Sequence, residues 1–296
     1  VQLLRLLQDS RRILQGNGPV RREDLLHTLW RLQWKAALAN GTTGWRRERI
    51  AGMTVEFFDY ASLTLLFHEV FVQQEYAFRF PRPDPVIVDA GSNIGMAVLY
   101  FKRLYPQARV LGFEPDPETF AALERNVRAN QLTGVELRRV ALAAQAGPLR
   151  LYTDPGRRGA PYASARAPLV EMWAGRRASR AVEVEGVRLS DCIGGPVDFL
   201  KLDIEGGELA VLEDLAGRGK LRQVREMAVE CHHHIRPDED RVAPLLAQLE
   251  ANGFGYQIRA GWDGGAAPGA YQNLMIRAYQ HSLLSSAHGA DGDARH

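Results

Sequence analysis

Acidic side chains give the first chemical signal. Asp89 closes the apolar run Val86-Ile87-Val88 and is followed by Gly91 and Gly95. Glu114 lies about 20 residues beyond that glycine turn, where a carboxylate can accept hydrogen bonds from both hydroxyls of a ribose. Further along, Asp203, Glu205 and Glu208 fall in one short stretch. Glu230 and His232 come next and share one face of a strand by their period-two spacing. Carboxylates and an imidazole gathered at strand ends can take the proton of a hydroxyl, and a base so placed contributes about 10²–10⁴-fold to a rate. Asp203, Glu205, Glu230 and His232 are therefore the candidate bases. Glu208 reads more simply as an acid at a helix N-terminus.

The turn itself narrows the ligand. Gly91-Ser92-Asn93-Ile94-Gly95 departs from the dinucleotide fingerprint G-x-G-x-x-G, because Asn93 stands where a second glycine would admit a pyrophosphate. Asp89 adds a fixed negative charge, unfavourable beside phosphates that need unopposed backbone donors. S-adenosylmethionine instead presents an ammonium and a sulfonium, and charge-assisted hydrogen bonds to such groups contribute about 1.5–3 kcal/mol each. The bland alternative for Asp89 is a structural turn acid. The residues favour S-adenosylmethionine. A nicotinamide-dependent oxidoreductase or epimerase and a non-catalytic module of the same fold are the competing readings. His232-His233-His234 invites a metal, since strand alternation would turn His232 and His234 the same way, towards Asp203. Neither the ligand spacing of a zinc site nor the oxygen set of a magnesium site is spelled out, so no metal is expected.

These residues need a sheet to position them. Val86 to Asp89, Arg109 to Glu114, Val135 to Leu142, Val197 to Asp203 and Arg225 to Glu230 read as buried strands, alternating with helical segments. Asp116-Pro117-Glu118 starts one of those helices with an N-cap acid and a proline. Leu149 to Tyr152 reads as a hairpin arm of the third strand. Tyr256 to Arg259 and Gln272 to Arg277 read as a closing antiparallel pair. The expected fold is α/β, a Rossmann-like doubly wound sheet with helices on both faces and an N-terminal helical extension. The extension spans 1–50, with two helices in 1–40. A lead-in segment with a proline-rich linker spans 51–85, the core 86–280 and a disordered tail 281–296. Residues 153–181 are rich in Gly, Pro, Ala and Arg without a period and read as a mobile loop over the site.

Composition sets outer limits. A chain of 296 residues with 46% hydrophobic content can bury a large core. Its net charge of +2 implies no polyanionic partner, so nucleic acid is not expected. Two cysteines, Cys192 and Cys231, fit a reducing compartment. No run approaches a membrane span, and Arg5, Asp9, Arg11 and Arg12 interrupt the leucine-rich start, so neither anchor nor signal peptide is expected. Cytoplasmic location follows as the default. The N-terminal helices could serve self-association as a homodimer or docking to a larger assembly.

Three ordered blocks carry a family resemblance. They are Val88-Asp89-Ala90-Gly91-Ser92-Asn93-Ile94-Gly95, then Gly112-Phe113-Glu114-Pro115-Asp116-Pro117 with Asn126, and Asp198 to Glu208. Together they resemble the signature blocks of FkbM-type methyltransferases, within the class I S-adenosylmethionine-dependent fold. Glu69-Val70-Phe71-Val72 with Tyr76 resembles the segment preceding the core in that family, and the likeness covers about residues 50–232. It implies a seven-stranded sheet and O-methylation of a hydroxyl on a sugar, lipid or secondary-metabolite acceptor. By position, Asp89, Gly91, Asn93 and Gly95 would hold the methionine part and Glu114 the ribose. Asp116 and the backbone around Ala141 would flank the adenine, and Asp203 would face the methyl group. Arg188-Leu189-Ser190-Asp191 departs from the family's usual threonine-led segment, and the 153–181 loop has no counterpart there. Acceptor specificity is therefore expected in that loop.

Overall fold

The apolar run ending at Asp89 becomes the middle one of the five parallel strands in a seven-stranded sheet. The computed structural model describes residues 2–16, 18, 20–39, 42, 44–154, 163–174, 179–261 and 266–283. Helices α1 (Gln2–Gln15) and α2 (Arg22–Ala39) lead to a hairpin of β1 (Arg46–Ile50) and β2 (Met53–Phe57). α3 (Tyr60–Phe67) runs on into a π-helical turn, His68–Val72. The core begins with β3 (Val86–Ala90), α4 (Met96–Leu104), β4 (Arg109–Phe113), α5 (Pro117–Ala129) and β5 (Val135–Arg138). Next come β6 (Ala141–Leu142), β7 (Gly147–Thr153), α6 (Ala167–Ala174), β8 (Arg180–Val187) and α7 (Leu189–Cys192). β9 (Val197–Leu202), α8 (Glu208–Gly217), β10 (Val224–His233), α9 (Val242–Ala251), β11 (Phe254–Ala260) and β12 (Gln272–Gln280) complete it.

Seven strands pair in the order β11-β12-β10-β9-β3-β4-β5. The five from β10 to β5 are parallel, and β12 and β11 close the edge antiparallel. Neighbouring residues on a strand feed opposite cores, as strand alternation requires. Ile87 and Phe199 pack with Val98, Phe101 and Leu123 from α4 and α5. Val88 and Leu200 pack with Val211, Leu212 and Leu249 from α8 and α9. This is the expected doubly wound α/β fold. The strand order reverses at β3, which opens a crevice between the carboxyl ends of β3 and β9.

The N-terminal elements share the first of these cores. Ile13 of α1 and Leu25, Leu29 and Leu32 of α2 lie in one cluster with α4. Asp9 of α1 meets His68 of the π turn at 2.9 Å. β2 is stitched to α5 by two asparagines one turn apart. Asn126, fully buried, exchanges two hydrogen bonds with the backbone of Glu56 and donates to the carbonyl of Ile94 at 2.7 Å. Asn130 does the same with Thr54. Asn126→Ala leaves three backbone groups without their partner, that of Ile94 in a buried contact, so it should destabilise the fold by roughly 1–3 kcal/mol, read as a lower urea midpoint.

Several local expectations are corrected. The third strand splits: only Val135–Arg138 joins the main sheet. Ala141–Leu142 and the arm at 147–153 both pair with β8, forming a separate three-stranded sheet. The stretch 153–181 is not a loop throughout, because α6 forms inside it and fully buries Leu169 and Val170. Residues 155–162 and 175–178 of that stretch, and 284–296 of the expected tail, lie outside the described residues. β10 runs on past Glu230 through His233. His234 has left the strand, with φ +53°, and its Nδ1 turns to the carbonyl of Ala270 at 3.2 Å, so it does not share a face with His232.

Candidate active site

The glycine turn after β3 is fixed by how closely β9 passes it. Gly91 has φ +88°, and a Cβ there would fall 1.7 Å from the carbonyl oxygen of Asp203. Gly95, at φ +91°, opens α4, and a Cβ there would meet Leu123 at 2.7 Å. The amides of Gly91 and Ser92 donate to the carbonyl of Phe113 at the end of β4. That contact brings Glu114 against the turn. Its Oε2 accepts from Asn93 N at 3.0 Å and its Oε1 from Asp116 N at 2.9 Å. Burial pushes the Glu114 carboxyl up to about 8, against the lowering effect of those two donors.

Beside this turn lies a cavity of about 370 Å³. Its lining includes Gly91, Asn93, Glu114 and Ala141 together with Asp203, Glu205, Glu230 and His232. Gly95 and Asp116 stand outside its wall. Asp116 caps α5, accepting from the amides of Glu118 and Thr119. Asp89 is also outside the wall, fully buried, and opposes Lys201 across the β3–β9 pair. Lys201 Nζ stands 3.3 Å from Asp89 and 3.1 Å from Asp203, and donates to the carbonyl of Gly91 at 2.6 Å. A buried ammonium therefore separates Asp89 from the cavity, and Asp203 is the carboxylate that reaches it.

Asp203 Oδ2 also accepts from the hydroxyl of Tyr76 at 3.3 Å. Burial works against ionisation of Asp203, but Lys201 and His232 outweigh it and hold the group below the ordinary aspartate range. The opposite holds for Glu230, which burial and the Asp203 charge drive well above a normal glutamate. Burial likewise raises Glu205. His232 is wedged between two carboxylates, with Nδ1 3.1 Å from Glu208 Oε1 and Nε2 3.0 Å from Glu205 Oε2. Burial alone would lower it, yet those charges raise it well above an ordinary histidine. Glu208 has a further structural task, since its Oε1 accepts from the amides of Ile204 and Gly206 in the tight turn before α8. Asp203, Glu205 and His232 each offer one ligand atom within 4.8 Å of the others.

Two lining residues carried no chemical reading in the sequence. Glu69, on the π turn, lines the cavity, and burial and the charges of Glu75 and Asp203 raise it strongly. An acid inside the apolar run Leu65 to Val72 was the available signal. Lys201 sits mid-strand between apolar neighbours and signals nothing until β3 is set beside β9. The lining also has an apolar part, with Leu65, Leu66, Leu149, Leu151 and Trp173.

Residues 89–257 match the methyltransferase FkbM domain. The chain belongs to the FkbM methyltransferase family. Among its relatives is methyltransferase sdnD of Sordaria araneosa, 35% identical over 240 residues, covering 72% of this chain and 88% of that protein. The 31-O-demethyl-FK506 methyltransferase FkbM of Streptomyces tacrolimicus is 29% identical, over 69% of this chain and 86% of its own. The 2-O-methyltransferase NoeI of Sinorhizobium fredii is 28% identical, over 54% and 68%. The protein is thus a methyltransferase of the FkbM family, and its glycine turn, Glu114 and the Asp198–Glu208 segment all fall inside the matched range. Among the described residues no helix is long and apolar enough to cross a membrane.

Proposed function

We propose that this FkbM-family methyltransferase uses S-adenosylmethionine to methylate a hydroxyl of a small acceptor, a sugar, lipid or secondary metabolite. One observation carries the reading: a single cavity joins Glu114 and the Gly91 turn to an ionised carboxylate, Asp203. The cofactor supplies an electrophilic methyl on sulfur. Glu114 is set to accept the ribose hydroxyls, and the apolar wall at Val140, Ala141 and Leu142 suits a flat adenine. The turn from Gly91 to Asn93 lies where the methionine end would run. Asp89 contributes at one remove, by holding Lys201, and Lys201 in turn keeps Asp203 ionised.

Methyl transfer to an alcohol is an in-line displacement that depends first on alignment. Asp203 receives the hydroxyl hydrogen as a hydrogen bond, which points an oxygen lone pair at the methyl group. As the C–O bond formed and the C–S bond broke to leave a neutral thioether, that hydrogen would become strongly acidic, so even a carboxylate of low pKa could take it. Glu230, Glu205 and His232 surround this centre, and each is held above its ordinary pKa where Asp203 is held below. The apolar side chains among the lining, Leu65, Leu66, Leu149, Leu151 and Trp173, favour an acceptor with a hydrophobic body. The names of the FK506 and 2-O-methyltransferase relatives support oxygen as the methylated atom. Self-association through the exposed Trp30, Trp34 and Leu38 of α2, and a cytoplasmic setting for free Cys192 and Cys231, belong to the same proposal.

Calorimetry tests the cofactor directly. S-adenosylhomocysteine should bind the purified protein and NAD should not. NAD binding without any S-adenosylhomocysteine binding would overturn the reading in favour of a nicotinamide enzyme.

A further inference from the structure

We propose that Asp203, Glu205 and His232 form a binding site for one divalent transition-metal cation, with Glu208 as the group that orients the histidine. The donor set is the first observation: two carboxylates and an imidazole whose ligand atoms lie within 4.8 Å of one another at the wall of the cavity. One imidazole with two carboxylates suits ions such as Mn²⁺, Fe²⁺ or Zn²⁺ better than Mg²⁺ or Ca²⁺, which favour oxygen alone.

The geometry of His232 is the second, independent observation. Its side chain is only 2% exposed, and its Nδ1 faces Glu208 Oε1 at 3.1 Å. A histidine that donates one ring N–H to a buried carboxylate presents the other nitrogen as a ligand, the arrangement that fixes metal-binding histidines. That other nitrogen, Nε2, lies 3.0 Å from Glu205 Oε2. Yet Oε2 is shut off from solvent and the contact falls short of a well-formed hydrogen bond. Two ligands held about 2.1 Å from one ion at right angles stand about 3.0 Å apart and point at the ion, not at each other. The pair is arranged like adjacent ligands of a common centre.

Asp203 can complete the set. A carboxylate has about four lone-pair directions, so it can meet Lys201, Tyr76 and an ion while keeping one for a hydroxyl. Glu69 and Glu230 line the same cavity and add acidic groups that a cation would offset. The histidine run by itself does not spell out this site. The site uses one histidine of that run, and its acids come from a turn on the neighbouring strand. A cation here would position the acceptor oxygen beside the methyl group. That role rests on the methyltransferase reading, but the site itself does not.

Manganese is the probe. The free-Mn²⁺ signal in electron paramagnetic resonance should fall on adding the full-length protein, to a stoichiometry of one ion per chain. Glu205→Gln and His232→Gln should each weaken that binding at least about tenfold. Glu205→Gln preserves shape at a half-buried position, so it keeps the test valid if the histidine variant folds poorly. An undiminished free-ion signal with the wild-type protein would overturn the site, and so would Glu205→Gln binding Mn²⁺ as tightly as wild type. S-adenosylhomocysteine calorimetry on the same samples reports separately on the methyltransferase reading. Cofactor binding without Mn²⁺ binding rejects the metal alone, and Mn²⁺ binding without cofactor binding rejects the cofactor alone.

Discussion

Glu114→Ala weakens S-adenosylhomocysteine binding about 100-fold, measured by calorimetry near neutral pH. Two hydrogen bonds from ribose hydroxyls to a carboxylate contribute about 1.5–3 kcal/mol each. Part of that is offset, because burial raises Glu114 to about 8 and the carboxyl must lose its proton to become the better acceptor. About 3 kcal/mol remains, which corresponds to the stated factor. Glu114 also receives the amides of Asn93 and Asp116, so truncation to alanine loosens the turn as well. Glu114→Gln separates the two effects. It keeps the shape and one acceptor oxygen, so its loss of affinity should be smaller than that of alanine. Equal affinity for wild type and both variants would remove Glu114 from the cofactor site.

The same group gives the protein a pH signature without ligand. An ordinary glutamate titrates near 4.5, and the folded protein holds this one's proton to about 8. Between those values the folded state binds more protons than the unfolded state, so this group's contribution to stability falls as pH rises. Glu114→Gln should therefore lose less stability than wild type between about pH 5 and 8 in urea titrations. Identical pH dependence in the two proteins would mean that another group is responsible. The cost is borne at the binding site, where a stabilising substitution reduces function.

How far the sequence spoke for itself depended on whether each signal was local. Val86 to Ala90 and Val197 to Leu202 are apolar runs ended by a glycine turn or an acid, and they fold where that pattern puts them. Glu114 keeps its distance from Gly91 because one strand, one helix and one turn fill that interval. β1 is harder to read. Arg46-Arg47-Glu48-Arg49-Ile50 resembles a solvated charge run, and Glu48 is buried only because Arg31, Lys35 and Tyr60 converge on it. The two residues of β6 and the eight of α6 are too short to establish a period. The partition of charge at the site is also non-local. Asp89 and Lys201 lie opposite each other only through strand register, and that pairing moves the cavity-facing carboxylate from Asp89 to Asp203. The sequence names both acids without saying which of them is neutralised.

Asp203→Asn lowers turnover about 10²–10⁴-fold, with cofactor affinity unchanged within a few-fold. The amide keeps the shape of the side chain and its contact with Tyr76 but cannot take the acceptor's proton. The acid limb of the kcat/KM profile identifies the base independently. Asp203 is held below the 3.8 of an ordinary aspartate by Lys201 and His232, so an enzyme that uses it keeps its activity until the pH falls below that value. Glu230 and His232 are both raised well above their ordinary values, so a base at either position would lose activity on the acid side at a much higher pH. A flat profile through mildly acidic pH together with an inactive Asp203→Asn assigns the proton to Asp203. Full turnover in Asp203→Asn would move it to Glu230 or His232, and Lys201 would then serve only to hold the neighbouring strands β3 and β9 together.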